Sequence, residues 1–407
     1  MYKINILLCC LAFGFTAAFA QNNTNSPYSM LGYGELSASG LAANKAMGGV
    51  GYGLRSNLLI NTVNPAAYSS VDSMTVMFDF GLSGRITKFK EGENRASTTN
   101  GNLEYIAFQM PLIRNLGMSF GFTPFSFVGY NVTKQSNTSP GNITYTETFI
   151  GTGGINQLYG GLAYKIGNRF SLGFDANFAF GYIKHSYGLV INDSYSFSTS
   201  HVKNLQVNDL SLRYGAQANV WRDNRHSLTL GATYKHQSVL NGSFDVTTST
   251  SQTETTTDYY SFDLPTIAGI GAFYSYRDRL SAGLDYTREQ WADTRFYSAK
   301  DSLHNVNRFA TGLSYVPNPT SRNYFNRIRY SLGGSVANSY VLGSANNYTL
   351  ACGFAFPMRS AKSYLNTVFE YGNNKVGASS SSLQEQYFKI TLSASISETW
   401  FFKRRLD

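Results

Sequence analysis

Cysteine is nearly absent from this chain of 407 residues: there are three, and two of them, Cys9 and Cys10, fall among the first ten positions. Cys352 stands alone in the remainder, so neither an intramolecular disulfide nor a cysteine metal cluster is available to it. Charge is scarce as well, at 14% Asp, Glu, Lys and Arg. Past the N-terminal stretch no apolar run approaches the roughly eighteen residues of a membrane helix. The histidines (His185, His201, His226, His236 and His304) are widely spaced, with no pair at a metal-ligand interval and no Ser–His–carboxylate set that would mark a hydrolase. These gaps argue against a disulfide scaffold and a helical membrane protein. They give no reason to expect an enzyme, a metal, a cofactor or any catalytic residue.

Aromatic residues and glycine are abundant instead, with 29 Tyr, 29 Phe and 38 Gly. From Ser73 onward the chain alternates apolar and polar residues with a period of two. In the last such stretch Phe388, Ile390, Leu392, Ala394 and Ile396 take one face, and Lys389, Thr391, Ser393, Ser395 and Ser397 the other. About fourteen of these stretches follow one another, which predicts an all-β fold, a transmembrane antiparallel β-barrel with lipid outside and water inside. The connections alternate in kind. Gly167-Asn168-Arg169, Arg222-Asp223-Asn224-Arg225 and Arg277-Asp278-Arg279 read as tight turns, while longer polar loops at 135–142, 192–204, 247–258 and 377–382 read as the opposite end. The Ser/Thr-rich stretch 247–257 reads as a flexible loop.

Residues 1–20 have the form of a cleaved signal peptide: Lys3, an apolar core, then Ala18-Phe19-Ala20. Residues 21–72 lack alternation and are rich in Gly, Asn, Ser and Ala, which predicts an N-terminal plug. The barrel is expected over 73–402 and a basic tail over 403–407. The net charge of +9 reads as a basic lumen and rim, and the one dense basic run is Lys403-Arg404-Arg405. Nucleic acid is not an expected partner.

Within the plug, Gly48 and Gly49 and the run Asn64-Pro65-Ala66 are the candidates for gating. Close packing against the wall is the competing reading for the glycines, and a turn fixed by Pro and capped by Asn for the second motif. Pro124 interrupts a good strand beside Phe122 and Phe125. It marks either a kink that opens a lateral gap or a bulge at a strand end. Pro265 reads as the start of a strand. The lumen-side ionisable residues Asp79, Arg85, Asp175, Arg213, Asp285 and Glu370 are expected to pair with one another or with the plug. For Lys403, Arg404 and Arg405 two roles stay open, contact with anionic lipid headgroups or docking to a partner.

The chain resembles the FadL-type outer-membrane transporters of long-chain fatty acids and other hydrophobic compounds, in a Bacteroidota-like version. The resemblance rests on Gly48-Gly49 and Asn64-Pro65-Ala66 in the plug region, Phe120-Gly121-Phe122-Thr123-Pro124-Phe125, and Leu264-Pro265 before Ile270-Gly271-Ala272-Phe273-Tyr274. It implies a fourteen-stranded barrel with an N-terminal hatch in the outer membrane of a Gram-negative bacterium, and passive uptake of a hydrophobic molecule such as a fatty acid. Two departures stand out. Trp400-Phe401-Phe402 is followed by a basic tail instead of ending the chain, and Ser26-Pro27-Tyr28-Ser29-Met30 does not look like a fatty-acid signature. Bacteroidota relatives that act as accessory barrels in secretion or barrel-assembly complexes supply the second expectation, a structural subunit with outer-membrane protein partners. Outer-membrane lipid is a partner in either case.

Overall fold

In the computed structural model the described residues are 24–400, except 138–142, 192–197, 251–252, 259, 301–302, 344–345, 359–361 and 376–382. The expected signal peptide and basic tail lie outside them. A 3-10 turn (Pro27–Met30), β1 (Glu35–Leu36), one α-helical turn (Ala42–Lys45) and a second 3-10 turn (Pro65–Ser70) precede the wall. The wall begins with β2 (Thr75–Glu91), β3 (Asn94–Ile113), β4 (Leu116–Asn137), β5 (Thr144–Ile166), β6 (Phe170–Ile191), β7 (Thr199–Arg222) and β8 (His226–Lys235). Four short pieces follow: β9 (Ser238–Leu240), β10 (Phe244–Ser249), β11 (Thr253–Asp258) and β12 (Phe262–Leu264). It is completed by β13 (Thr266–Tyr276), β14 (Leu280–Gln290), β15 (Val306–Tyr315), β16 (Arg329–Asn338), β17 (Asn346–Pro357), β18 (Tyr364–Lys375) and β19 (Gln384–Thr399).

Each long strand pairs antiparallel with the next, and β19 closes on β2 from Thr399↔Thr75 to Gln384↔Lys90. The result is a closed barrel of 14 strands. Alternation fixes which face is which. On β6, Phe170, Leu172, Phe174 and Phe178 are exposed on the outer wall, while Ser171, Asp175 and Asn177 are buried inside. On β19, Phe388, Ile390, Leu392 and Ile396 face out over buried Thr391, Ser393, Ser395 and Ser397. An apolar exterior around a polar interior is the surface a bilayer requires, and the β19–β2 pairing joins the two ends of the sheet.

Two features depart from the sequence reading. The Ser/Thr-rich stretch expected as a flexible loop is β10 and β11, a hairpin that continues the wall: β10 pairs with β7 from Phe244↔Leu205 to Ser249↔Ser200. Threonine suits a strand, and neighbouring strands supply the hydrogen bonds the isolated sequence lacked. The connection from β15 to β16, at the end of the barrel that holds the tight β5–β6, β7–β8 and β13–β14 turns, is long and carries a 3-10 turn over Tyr324–Arg327. Pro265 directly precedes β13, as its position predicted.

Candidate functional site

The wall is interrupted beside Pro124. β3 and β4 pair from Ile113↔Leu116 to Ile106↔Phe122 and then part. Above that point β3 stays with β2, to Asn94, and β4 stays with β5, to Asn137. Proline has no N–H to offer a neighbour, and the β4–β5 register slips between Pro124 and Ser126. The distortion crosses β5 at Gly154, where φ is +152° and a Cβ would lie 2.4 Å from the Ser126 carbonyl oxygen. Phe122, Pro124 and Phe125 therefore sit together at the foot of the split.

The vacated edge of β4 is taken by the N-terminal segment. β1 pairs antiparallel with it, Glu35↔Phe127 and Leu36↔Ser126, and the Ser37 N–H donates to the Phe125 carbonyl at 2.8 Å. Ser29 Oγ donates to the Gly129 carbonyl and accepts from its N–H, both at 3.1 Å. On the opposite side Ser26 Oγ donates to Glu385 at 2.6 Å, and Arg85 bridges Glu35 and Glu385 while lying 4.2 Å over the Tyr387 ring. Burial alone would raise the Glu35 carboxyl, but the Arg85 guanidinium and the Thr24 hydroxyl hold it below its usual value. The segment thus stands in for β3 as a stopper.

Behind the stopper, the loop-side half of the lumen is packed. β9 and β12 leave the wall and pair with each other, carrying Leu240, Phe262 and Leu264 inward. They meet Tyr33, Trp291, Tyr340, Val128, Ile155 and Ile183 in one buried cluster. Tyr33 stands edge-on to Phe296 at 5.1 Å, Trp291 lies 4.9 Å from Tyr340, and the Tyr33 hydroxyl donates to the Asp263 carbonyl at 3.0 Å. Arg295 grips the Asp263 carboxylate with Nε and Nη2, each at 2.9 Å.

The lower plug is anchored to the wall at every motif the sequence singled out. Gly48 and Gly49 have φ of +69° and +88°. A Cβ at Gly48 would meet the Gly334 backbone at 2.5 Å, and one at Gly49 the Arg308 side chain at 2.3 Å. Arg308 itself donates to the Gly48 carbonyl at 2.7 Å. Asn64 caps the 3-10 turn, accepting from the Ala66 N–H at 3.0 Å and donating to the carbonyls of Tyr52 (2.8 Å) and Ala216 (3.1 Å). Pro65 packs where Gly173 and Gly215 leave room in the wall. Both motifs form close packing between plug and wall.

The lumen-side ionisable residues join this contact. Arg213 grips Asp175 and donates to the Thr62 carbonyl at 2.8 Å, and the Tyr68 hydroxyl reaches the same carboxylate at 3.1 Å. Asp285 accepts the Gly51 and Tyr52 N–H groups at 2.6 and 3.0 Å. Asp79 accepts from Tyr105 and Ser395, and Glu370 lies 3.9 Å from Lys389. Glu104 holds Lys45 of the plug together with Lys389. Sequence reasoning missed Glu104 and the wall glycines. Gly231 is the clearest, since a Cβ there would lie 1.8 Å from the Tyr52 carbonyl oxygen. The signal was present as glycine at inward positions of strands, where nothing local requires it.

Comparison with known proteins adds a family and a fold. The sequence matches the family described as BamG over residues 1–407. A comparison with curated proteins returns no match. Among solved structures, a Pseudomonas aeruginosa FadL homologue aligns over 90% of this chain and 100% of its own, at 13% identity and a TM-score of 0.58. The Pseudomonas putida toluene transporter TodX aligns over 90% and 99%, at 15% identity and a TM-score of 0.58. The CymD monoaromatic hydrocarbon channel does so over 90% and 99%, at 11% identity and the same TM-score. At these identities the likeness is one of fold: the plugged barrel of the FadL type.

Proposed function

The chain belongs to the BamG family, and from that premise we propose that it is an outer-membrane barrel serving as an accessory subunit of a secretion or barrel-assembly complex. The observation that carries this reading is the filled lumen. A ligand route from the loops to the plug would have to pass Tyr33 and Trp291, which are 0% and 1% exposed at the centre of the packed cluster. Opening it means breaking an aromatic core, and releasing the plug means breaking the Asn64, Asp285, Arg213 and Glu104 contacts together. A barrel that carries such a core keeps the architecture of a channel while offering its surfaces to neighbours. In this reading residues 1–20 direct export, and Lys403, Arg404 and Arg405 provide a contact for a partner or a lipid headgroup.

A second reading, uptake of a hydrophobic compound, is favoured by the split beside Pro124. There an apolar molecule would cross the wall sideways, between β3 and β4, with Phe122 and Phe125 at the threshold and residues 29–37 as the movable gate. Gly48, Gly49, Asn64, Pro65 and Ala66 would then set how firmly the plug resists displacement. A fatty acid or a monoaromatic hydrocarbon fits such a route by its chemistry. Affinity purification of the tagged full-length chain from native membranes separates the two. Stoichiometric partners, with no binding of labelled oleate, are expected; a solitary barrel that binds oleate overturns the accessory reading in favour of uptake.

A further inference from the structure

The turn-side end of the lumen holds a cluster of cations that nothing described so far uses. Beneath the plug lies a cavity of about 760 Å³, within the range of about 300–1,000 Å³ common for ligand sites. Arg55 reaches it from the plug and Lys165 from the foot of β5. Arg222 and Arg225 come from the β7–β8 turn, and Arg277 and Arg279 from the β13–β14 turn. The two turns are fastened together, because the Arg277 N–H donates to the Arg225 carbonyl at 2.6 Å. Four guanidinium-bearing residues are thereby held on adjoining loops.

Three carboxylates line the same cavity, and two of them are occupied. Asp72 pairs with Lys362 and accepts from Asn57, and Asp223 accepts the N–H groups of Arg225 and His226 at 2.7 Å each. Asp278 is the third. Among the described residues no ion pair joins any of the six cations to a carboxylate. The Arg55 side chain donates instead to the neutral hydroxyls of Ser171 and Ser69. Burial and the neighbouring Arg222 charge both lower its pKa, as expected of a cation without a counter-ion. A cleft with an excess of one sign of charge focuses its field and concentrates the opposite charge.

We propose that this turn-side mouth is a docking pocket for an acidic peptide segment of a soluble partner protein on the periplasmic side. The cavity is enclosed by the barrel wall and roofed by the plug residues Ala42, Met47 and Leu54, so a bilayer headgroup outside the wall does not reach it. The apolar roof and Phe273 beside it suit a peptide, whose side chains and backbone use both kinds of surface, better than a bare anion. The proposal deepens the accessory-subunit reading by giving one partner its chemistry.

The test uses the full-length barrel in detergent and a fluorescein-labelled glutamate-rich peptide, followed by anisotropy. Binding is expected to weaken as salt rises and to fall about tenfold or more in a barrel carrying Arg222→Glu and Arg277→Glu. The milder pair Arg222→Gln and Arg277→Gln, which keeps the turn lengths and hydrogen-bonding capacity, is expected to show an intermediate loss. Equal binding by wild type and both variants overturns the proposal. So does binding of inorganic phosphate or of anionic-lipid vesicles that these substitutions reduce while the peptide fails to bind. Native purification of the barrel carrying Arg222→Glu and Arg277→Glu keeps the two readings apart: partners retained after peptide binding is lost sink this proposal and leave the accessory subunit standing.

Discussion

Tyr33 and Trp291 lie 5.8 Å apart, centroid to centroid, one on the N-terminal segment and the other on the loop between β14 and β15. Their contact ties the stopper of the wall split to the packed loop-side lumen. Trp291→Ala should cost about 3–5 kcal/mol, as large aromatic truncations do. It should also convert a sealed barrel into one with measurable conductance in planar bilayers. A variant as closed and as heat-resistant as the parent would show that the cluster does not seal the lumen.

Asn64 serves as both cap and anchor. Asn64→Ala removes the cap on the 3-10 turn and the bonds to Tyr52 and Ala216. The expected loss is about 1–2 kcal/mol, read as a lower unfolding midpoint in denaturant with the barrel's strand content unchanged.

Gly231 tests whether the plug is held by shape. Gly231→Val places side-chain atoms where the Tyr52 carbonyl now sits. The plug has to shift there, so limited proteolysis should cut within residues 48–60 in the variant and spare them in the parent. Protection equal to the parent's would mean that the wall yields in place of the plug.

Glu104 is buried between Lys45 and Lys389. Glu104→Gln leaves two ammonium groups sharing a neutral amide, at a cost of about 3–5 kcal/mol. The double variant Lys45→Met with Glu104→Leu should recover much of that loss, because Lys389 retains Glu370 and the buried charges are replaced by apolar volume. Unfolding midpoints of the two variants check this directly.

Asp263 gives the lumen an acid sensitivity. Burial pushes its carboxyl up, and the hydrogen bonds from the Arg295 side chain and backbone outweigh that, so its pKa falls below the usual 3.8. A carboxyl lowered in the folded state contributes stability that is complete above its unfolded pKa and is lost as pH falls through the folded one. Hydrogen exchange in β9 and β12 should therefore rise below about pH 4. Asp263→Asn should show raised exchange at neutral pH and little further change on acidification.

The alternation along the long strands from β2 to β19 was enough to give the barrel, an even count of about fourteen strands and the face that turns to lipid, while the closed pairing fixed the count at 14. The reason is local: a strand with one apolar face specifies its own orientation, whichever strand lies beside it. Pro124 was legible for the same reason, since a residue without an N–H disturbs whichever ladder it joins. What the N-terminal segment does was not legible. Ser29 and Gly129, or Tyr33 and Asp263, meet only because the closed barrel brings distant stretches into one lumen. The same holds for the basic mouth. In sequence Arg222, Arg225, Arg277 and Arg279 belong to two separate turns, and Lys403-Arg404-Arg405 is the one dense basic run. The tertiary structure fastens those turns together under the plug. Charge adds through space, so only the fold could turn scattered arginines into a single field.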